Sequence, residues 1–319
     1  MTVSIIIAVK TWQKNLEDCV GKCLQLDFSD FEILILPDQR LSRDIPDSRV
    51  KVIPTGPVNP AKKRDIALKY ARGQIIAFLD DDAYPEQDWL KNAVRNFDDE
   101  CIAAVGGPAV TPGTDSLNQV ASGLVYSALL VSGKYVYRYR PGKRIQVDDY
   151  PSCNFLVRKS VMDELGGFNT DFWPGEDTKL CRDITKILGK KIIYDPSVLV
   201  SHHRRSLYRP HLNQIANYAF HRGYFVKRYP ETSFRIPYFI PSLFLSGLLA
   251  GAILSLFFAG LRPVYLFCLF LYLSLVFIFT IYTGLKDALL YKGVIKKVPE
   301  SVPKPLVGSD VISSWPLDC

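Results

Sequence analysis

Three consecutive carboxylates, Asp80-Asp81-Asp82, follow the apolar run Ile75-Ile76-Ala77-Phe78-Leu79 and precede Ala83-Tyr84-Pro85. An all-apolar run of this length reads as a buried strand. The carboxylates therefore fall at a strand's carboxyl end, where open α/β sheets bind ligands. Adjacent carboxylates repel one another unless a cation lies among them, and hard oxygen donors suit Mg2+ or Mn2+. The competing reading is a solvated acidic turn capping a helix that starts near Glu86.

Other residues carry chemistry if a sheet gathers them. Asp38 follows the apolar run 31–36, and Lys62, Lys63 and Arg64 open a helix expected over 60–71. Trp173-Pro174-Gly175-Glu176-Asp177 precedes a helix expected over 178–188. Cations beside a metal-binding carboxylate cluster suit a diphosphate, which arginine pairs with bidentately. Singly, each has a plainer reading: a turn aspartate, a solvated basic face, or an acidic helix start that favours the dipole.

The elements that would position them alternate. Strands are expected at 3–9, 31–36, 50–53, 74–79 and 102–105, with helices at 16–26, 60–71 and 86–97 between them. That order predicts a doubly wound, mostly parallel α/β sheet. Residues 117–130 read as an amphipathic helix, and 134–144 as a basic, aromatic loop or hairpin able to meet a polar acceptor or a lipid headgroup. Beyond them come short helices at 160–165 and 178–188, a strand at 190–194 and a strand-like 198–200. Residues 211–229 mix aromatic and basic side chains, which predicts an interfacial helix and makes His221 interfacial.

Composition sets the compartment. Residues 236–261 and 263–285 contain no charged side chain, and each is long enough to cross a ~30 Å hydrocarbon core. Gly260-Leu261-Arg262 joins them into a hairpin. Lys227, Arg228 and Arg235 flank one end and Lys286, Lys292, Lys296 and Lys297 the other, so the positive-inside bias places both ends in the cytoplasm. Gly247 and Gly251 make a GxxxG face, read as packing the hairpin on itself. The apolar run at 4–9 is too short for a secretory leader. Seven cysteines without metal-type pairing fit buried thiols in a reducing compartment. The net charge of +7 is too dispersed for nucleic acid and suits an anionic membrane face and phosphate ligands.

The run Asn59-Pro60-Ala61-Lys62-Lys63-Arg64-Asp65-Ile66-Ala67, followed by Gly73-Gln74-Ile75-Ile76-Ala77-Phe78-Leu79-Asp80-Asp81-Asp82, resembles the nucleotide-sugar half of family 2 glycosyltransferases. Gly166-Gly167-Phe168-Asn169 with Gly175-Glu176-Asp177 resembles their acceptor half, and the similarity spans about residues 3–205. The resemblance implies a GT-A fold and a nucleotide-diphosphate sugar donor. Asp38 would contact the base, Arg64 with Lys63 the nucleotide, Asp80 and Asp81 the ribose and sugar, and Asp82 a Mg2+ or Mn2+ ion. Asp177 would be the catalytic base of an inverting transfer, with Glu176 positioning the acceptor or a neighbouring cation.

In His202-His203-Arg204-Arg205, one histidine would complete the metal shell or an arginine clamp the diphosphate; the alternative is a basic juxtamembrane run. Two departures stand out: Asp65 where asparagine is common, and Ala8-Val9-Lys10-Thr11 in place of a proline-containing turn. The expected organisation is a cytosolic catalytic domain at 1–205 (donor half 1–108, acceptor half 109–205), an interfacial segment at 206–235, a membrane hairpin at 236–285 and a cytosolic tail at 286–319. The expected partners are a nucleotide sugar, a lipid-linked or cell-surface glycan acceptor and the membrane, with no nucleic acid; homo-oligomers or glycan-assembly partners stay open. Two spans make no channel, which favours single transfer. Nucleotidylyl transfer is disfavoured because Lys10-Thr11-Trp12-Gln13-Lys14 lacks the glycine-rich loop it would need. A catalytically inactive membrane-tethered scaffold is disfavoured by the retention of both Asp82 and Asp177.

Overall fold

Apolar runs set the strands. In the computed structural model, which describes residues 1–295 apart from Ser42 and Asp44, β1 (Val3–Ala8), β2 (Phe31–Leu36), β3 (Val50–Val52) and β4 (Ile75–Asp80) lie parallel in the order β3-β2-β1-β4. Their side chains alternate between two apolar layers. Ile5, Ile7, Ile33, Ile35, Ala77 and Leu79 face one layer, while Ile6, Leu34, Leu36, Ile76 and Phe78 face the other. Both faces are covered, which explains why these strands read as unbroken apolar runs. Each fully buried Leu, Ile or Phe contributes ~1.5–3 kcal/mol.

The first layer is closed by α1 (Lys14–Cys23), through Leu16, Cys19, Val20 and Cys23. The second is closed by α2 (Pro60–Leu68), whose Asn59 side chain caps Lys62 N at 2.9 Å ahead of Pro60 at the first turn. Register aligns the strand ends: Ala8 pairs with Leu36 on one side and with Asp80 on the other. Asp38 and Asp80 therefore leave the same edge of the sheet.

Beyond β4 the structure departs from a simple alternation. β5 (Ala83–Pro85) follows the aspartates, so the expected helix at 86–97 is shortened to α3 (Trp89–Val94) and a 3-10 turn. Next come β6 (Ile102–Gly106), β7 (Ala109–Val110), α4 (Leu117–Ser127), α5 (Leu129–Ser132), a 3-10 stretch Gly133–Arg138 and β8 (Ile145–Val147). β9 (Asn154–Arg158), not foreseen as a strand, runs antiparallel between β4 and β6. After α6 (Lys159–Leu165), the helix expected at 178–188 appears as α7 (Glu176–Arg182) continuing into a π-type turn, Asp183–Ile187. It begins earlier than expected, so Glu176 and Asp177 are its first turn. β10 (Lys191–Tyr194) and β8 complete the eight-stranded sheet, in the order β3-β2-β1-β4-β9-β6-β10-β8. β11 (Val200–His202), placed slightly later than expected, forms a small second sheet in the order β5-β11-β7.

Buried Asn154 joins the two sheets. Its side-chain amide donates to the carbonyls of Gly107 and Val198, both at 2.7 Å, and its oxygen accepts from Trp89 Nε1 at 2.9 Å.

α8 (Arg209–Arg228) takes up the expected helix at 211–229 to within two residues, but it is not purely interfacial. Phe225 is buried edge-on against Phe172 at 5.4 Å, while Leu212, Tyr218, Phe220 and Tyr224 on the same helix are exposed. Through α9 (Pro230–Ser233) it leads into α10 (Ile236–Phe257). α11 (Arg262–Ile295) extends past the expected end at 285, and the expected tail from 296 on lies outside the described residues. Two stretches, Ile236–Phe257 and Ala259–Tyr282, are long and apolar enough to cross a membrane, and almost none of either is buried in protein. Gly251 serves close packing, since a Cβ there would meet the Tyr265 ring of α11 at 2.9 Å.

Candidate active site

β4 ends on Asp80, and the turn into β5 carries Asp81 and Asp82. β11 pairs antiparallel with β5, placing His202 opposite Ala83. That pairing brings His202 Nε2 to 3.0 Å from Asp82 Oδ1, although 120 residues separate them. Ligand atoms of Asp80, Asp82 and His202 lie within 4.8 Å of one another. A single cation with bonds of ~2.0–2.1 Å nearly spans that gap; the two carboxylates suit Mg2+ or Mn2+, and the imidazole beside them favours Mn2+ over the harder Mg2+. The residues present therefore fit the expected ion.

The two adjacent histidines part ways. His203 Nδ1 bonds Asp115, and its ring packs edge-on against Tyr84 at 4.9 Å. His202 alone joins the carboxylate cluster. Burial opposes charge on His202, but the Asp82 carboxylate overrides it and pushes the imidazole up to about 10. In turn, burial raises Asp82, yet the facing His202 and then Arg205 hold it below the usual carboxylate range. Asp81 is pushed up to about 6, first by burial and then by Asp82, and it accepts a hydrogen bond from Gln13.

The basic cluster on α2 is mostly internal. Lys63 has 3% of its side chain exposed and donates to Val9 O at 2.6 Å, to Leu36 O at 3.1 Å and to Asp38. All three of its hydrogens are committed, so it ties the ends of β1 and β2 and orients Asp38. Arg64, 4% exposed, donates from Nη2 to Asp80 Oδ1 at 2.9 Å and from Nη1 to Glu176 Oε1 at 2.8 Å. A guanidinium this buried requires carboxylate partners, and Arg64 has one on either side. Asp65 accepts from Phe168 N at 2.7 Å and Asn169 N at 3.2 Å. This departure from the family pattern shapes the loop ahead of α7.

Glu176 is buried, and its second oxygen accepts from Gly175 N at 3.0 Å, so it positions neighbouring groups. Asp177 Oδ1 accepts from Thr178 N at 2.8 Å. Burial, then Glu176 and Asp149, push the Asp177 carboxyl up to about 7, against the opposing pull of Arg222. Gly175, with φ of +116°, makes the turn. A Cβ there would lie 2.0 Å from the Phe225 ring of α8.

Asp149 was not foreseen. It accepts from Thr178 Oγ1 at 3.1 Å, from Arg222 at 2.6 Å and from Arg138 at 3.3 Å. Burial would raise it, but Arg222 and Arg138 hold it well below the carboxylate range. No local pattern marks it, because its partners lie on three other segments. Arg204 spans Tyr126 and Tyr139, at 5.8 and 5.1 Å from the ring centroids, with Nη1 3.2 Å from His202 Nδ1. It backs the histidine. Arg205 is exposed and near enough to Asp82 to lower its pKa.

A mixed sheet whose carboxyl edge gathers Asp80, Asp82 and His202 beside an acidic helix start is a GT-A fold. The chain belongs to glycosyl transferase family 2, whose family model matches residues 4–166, just over half of its length. Among known relatives, the pre-mycofactocin glycosyltransferase of Mycobacterium tuberculosis is 32% identical over 165 residues, which are 51% of this chain and 33% of that protein. The chain thus spans about a third of that relative's length. A Methanococcus voltae protein, dolichyl N-acetyl-alpha-D-glucosaminyl phosphate 3-beta-D-2,3-diacetamido-2,3-dideoxy-beta-D-glucuronosyltransferase, is 21% identical over 277 residues, covering 80% of this chain and 84% of that one. Among solved structures, the mannosyltransferase PcManGT from Pyrobaculum calidifontis, in complex with GDP-Man and Mn2+, matches with a TM-score of 0.60 at 18% identity. That match covers 92% of this chain and 86% of the other and bears on the fold.

Proposed function

We propose that this chain is a membrane-anchored, inverting glycosyltransferase that moves a sugar from a nucleoside-diphosphate donor to a lipid-linked or cell-surface glycan acceptor. The observation that carries the reading is the convergence of Asp80, Asp82 and His202 at the sheet edge, joined through Arg64 to Glu176, the chain neighbour of Asp177. A Mg2+ or Mn2+ ion held by Asp82, His202 and Asp80 would neutralise the donor's diphosphate and the charge that develops as it leaves. Asp38, oriented by Lys63, faces the base, Asp81 the ribose or sugar, and Arg205 the phosphates. Asp177 takes the proton of the acceptor hydroxyl as its oxygen attacks the anomeric carbon opposite the leaving group. One displacement inverts that carbon, and no sugar–enzyme bond forms. A base with a pKa near the working pH is best placed for this step, which contributes ~10²–10⁴-fold.

The name of the Methanococcus voltae relative, whose acceptor is a dolichyl phosphate sugar, supports a lipid-linked acceptor. The apolar helices and their basic flanks support a catalytic unit on the cytoplasmic face with the chain crossing the membrane twice. The test is release of nucleoside diphosphate from UDP-, GDP- and dTDP-sugars by detergent-solubilised full chain with Mn2+ or Mg2+. One donor should be consumed in a metal-dependent way, and Asp82→Ala should abolish consumption. Asp177→Asn should still bind the donor and fail to transfer. Absence of metal-dependent nucleotide binding for every donor would overturn the reading in favour of an inactive scaffold.

A further inference from the structure

Next to the segment that opens the first apolar helix, the chain exposes three consecutive aliphatic side chains. Leu129, Leu130 and Val131 are 59%, 58% and 58% exposed. They form α5, a single turn with no buried residue, bounded by Ala128 and by Gly133 at φ of +51°. Such a turn fills no core, and it holds its apolar side chains away from the protein.

Its surroundings indicate what covers it. The 3-10 stretch that follows is clamped to the start of α10. The Tyr135 ring stacks on Tyr238 at 5.9 Å, and Arg235 donates to the Tyr135 hydroxyl at 3.2 Å and pairs with Asp148 at 2.7 Å. From there α10 continues with Ile236, Ile240 and Leu243 exposed. The aliphatic tip therefore lies beside the point where the apolar helix begins, not on a remote face. Exposed Lys134 adjoins it, with its ammonium 5.3 Å from the Tyr135 ring. Aliphatic side chains flanked by tyrosine and lysine match the chemistry of a bilayer's headgroup boundary.

We infer that Leu129-Leu130-Val131 is a membrane-insertion tip, a further lipid contact that seats the catalytic unit on the bilayer surface. The inference rests on reading α10 as a span, and the partner is the lipid itself. The consequence for the site is direct. Ser132 donates to Tyr126 O at 2.5 Å, Tyr126 stacks on Tyr139 at 5.2 Å, and Arg204 covers both rings while touching His202. Few contacts separate the tip from the cation cluster. An acceptor hydroxyl on a lipid anchor thereby reaches the site while its anchor stays in the bilayer.

The test uses the full chain with one labelled cysteine at a time. Cys101 and Cys268 are exposed, whereas Cys19, Cys23, Cys153 and Cys181 are buried. In a background with Cys101, Cys268 and Cys319 replaced by serine, Leu130→Cys reports the tip and Leu245→Cys the middle of α10. A form that keeps Cys101 alone reports solvent. Each carries an environment-sensitive dye in bilayers of phosphatidylcholine and phosphatidylglycerol, with nitroxides at shallow or deep acyl positions. An inserted tip sits ~5–10 Å into the boundary, so the label at 130 should be blue-shifted and quenched several-fold more by shallow than by deep nitroxide. The label at 245 should show the reverse order, and Cys101 should not be quenched. A label at 130 as wet and unquenched as Cys101, with 245 deeply quenched, overturns the tip and leaves the span standing. A label at 130 that is dry but unquenched shows protein cover and overturns it as well. Absence of quenching at 245 overturns the span and the inference with it.

Discussion

At the scale of single residues, the candidate base is defined by its surroundings. Burial with Glu176 and Asp149 nearby leaves Asp177 titrating at about 7. A general base works ionised, so transfer should fall as pH drops through about 7 and level off above it. Single-turnover rates at saturating donor across the neutral range would read this, and Asp177→Asn should cut the plateau by ~10²–10⁴-fold and remove the inflection. The histidines offer a second prediction. β11 ends on His202, whose ring meets Asp82, while His203 just beyond the strand turns to Asp115. Mn2+ binding followed by its electron paramagnetic resonance signal should be lost in His202→Ala and kept in His203→Ala. Sequence leaves these two equivalent, because only the β5–β11 register, with His202 opposite Ala83, separates them.

At the scale of elements, β1, β2 and β4 are legible because both sheet faces are covered and their apolar runs are unbroken. Asp38 and Asp82 stand out in the sequence because each lies just past such a run, and Asp177 because it opens a helix. β9 is harder to read. It is an antiparallel strand between β4 and β6, and that pairing is a long-range choice with no local signature. For the same reason the sequence offers the basic cluster on α2 as diphosphate-facing or solvated, and does not show that Lys63 and Arg64 are buried against carboxylates and carbonyls from elsewhere. The turn into α7 yields a prediction of its own. Gly175→Ala puts a side chain at φ of +116° and against Phe225, and the positive φ alone costs ~1–2 kcal/mol. Thermal unfolding in detergent should show at least that loss, and activity should fall further because Asp177 follows two residues later.

At the scale of the whole molecule, the cytoplasmic side proposed for the catalytic unit can be checked directly. Cys101 is exposed at the start of β6, and in single-cysteine form it should resist a membrane-impermeant maleimide in intact cells and react once they are opened. Labelling in intact cells would place the unit outside. Of the GxxxG pair, Gly251 faces Tyr265 as a packing face requires, while a Cβ at Gly247 would meet nothing within 4 Å. The contribution of Asp149 was not legible, because its partners Arg138, Thr178 and Arg222 assemble only on folding.

One guanidinium, Arg64, serves as counter-charge to a carboxylate from each half of the fold, Asp80 on the donor side and Glu176 on the acceptor side. The two substrates therefore share a single electrostatic account. A cation arriving at Asp80 changes what Arg64 offers Glu176, and so the field at the neighbouring base. Groups within one such network couple by ~0.5–3 kcal/mol. A double-mutant cycle of Asp80→Asn and Glu176→Gln, read as acceptor affinity with donor present and absent, should be non-additive by an amount in that range. Donor occupancy would then tune acceptor recognition, giving the two substrates a preferred order of arrival without any moving domain.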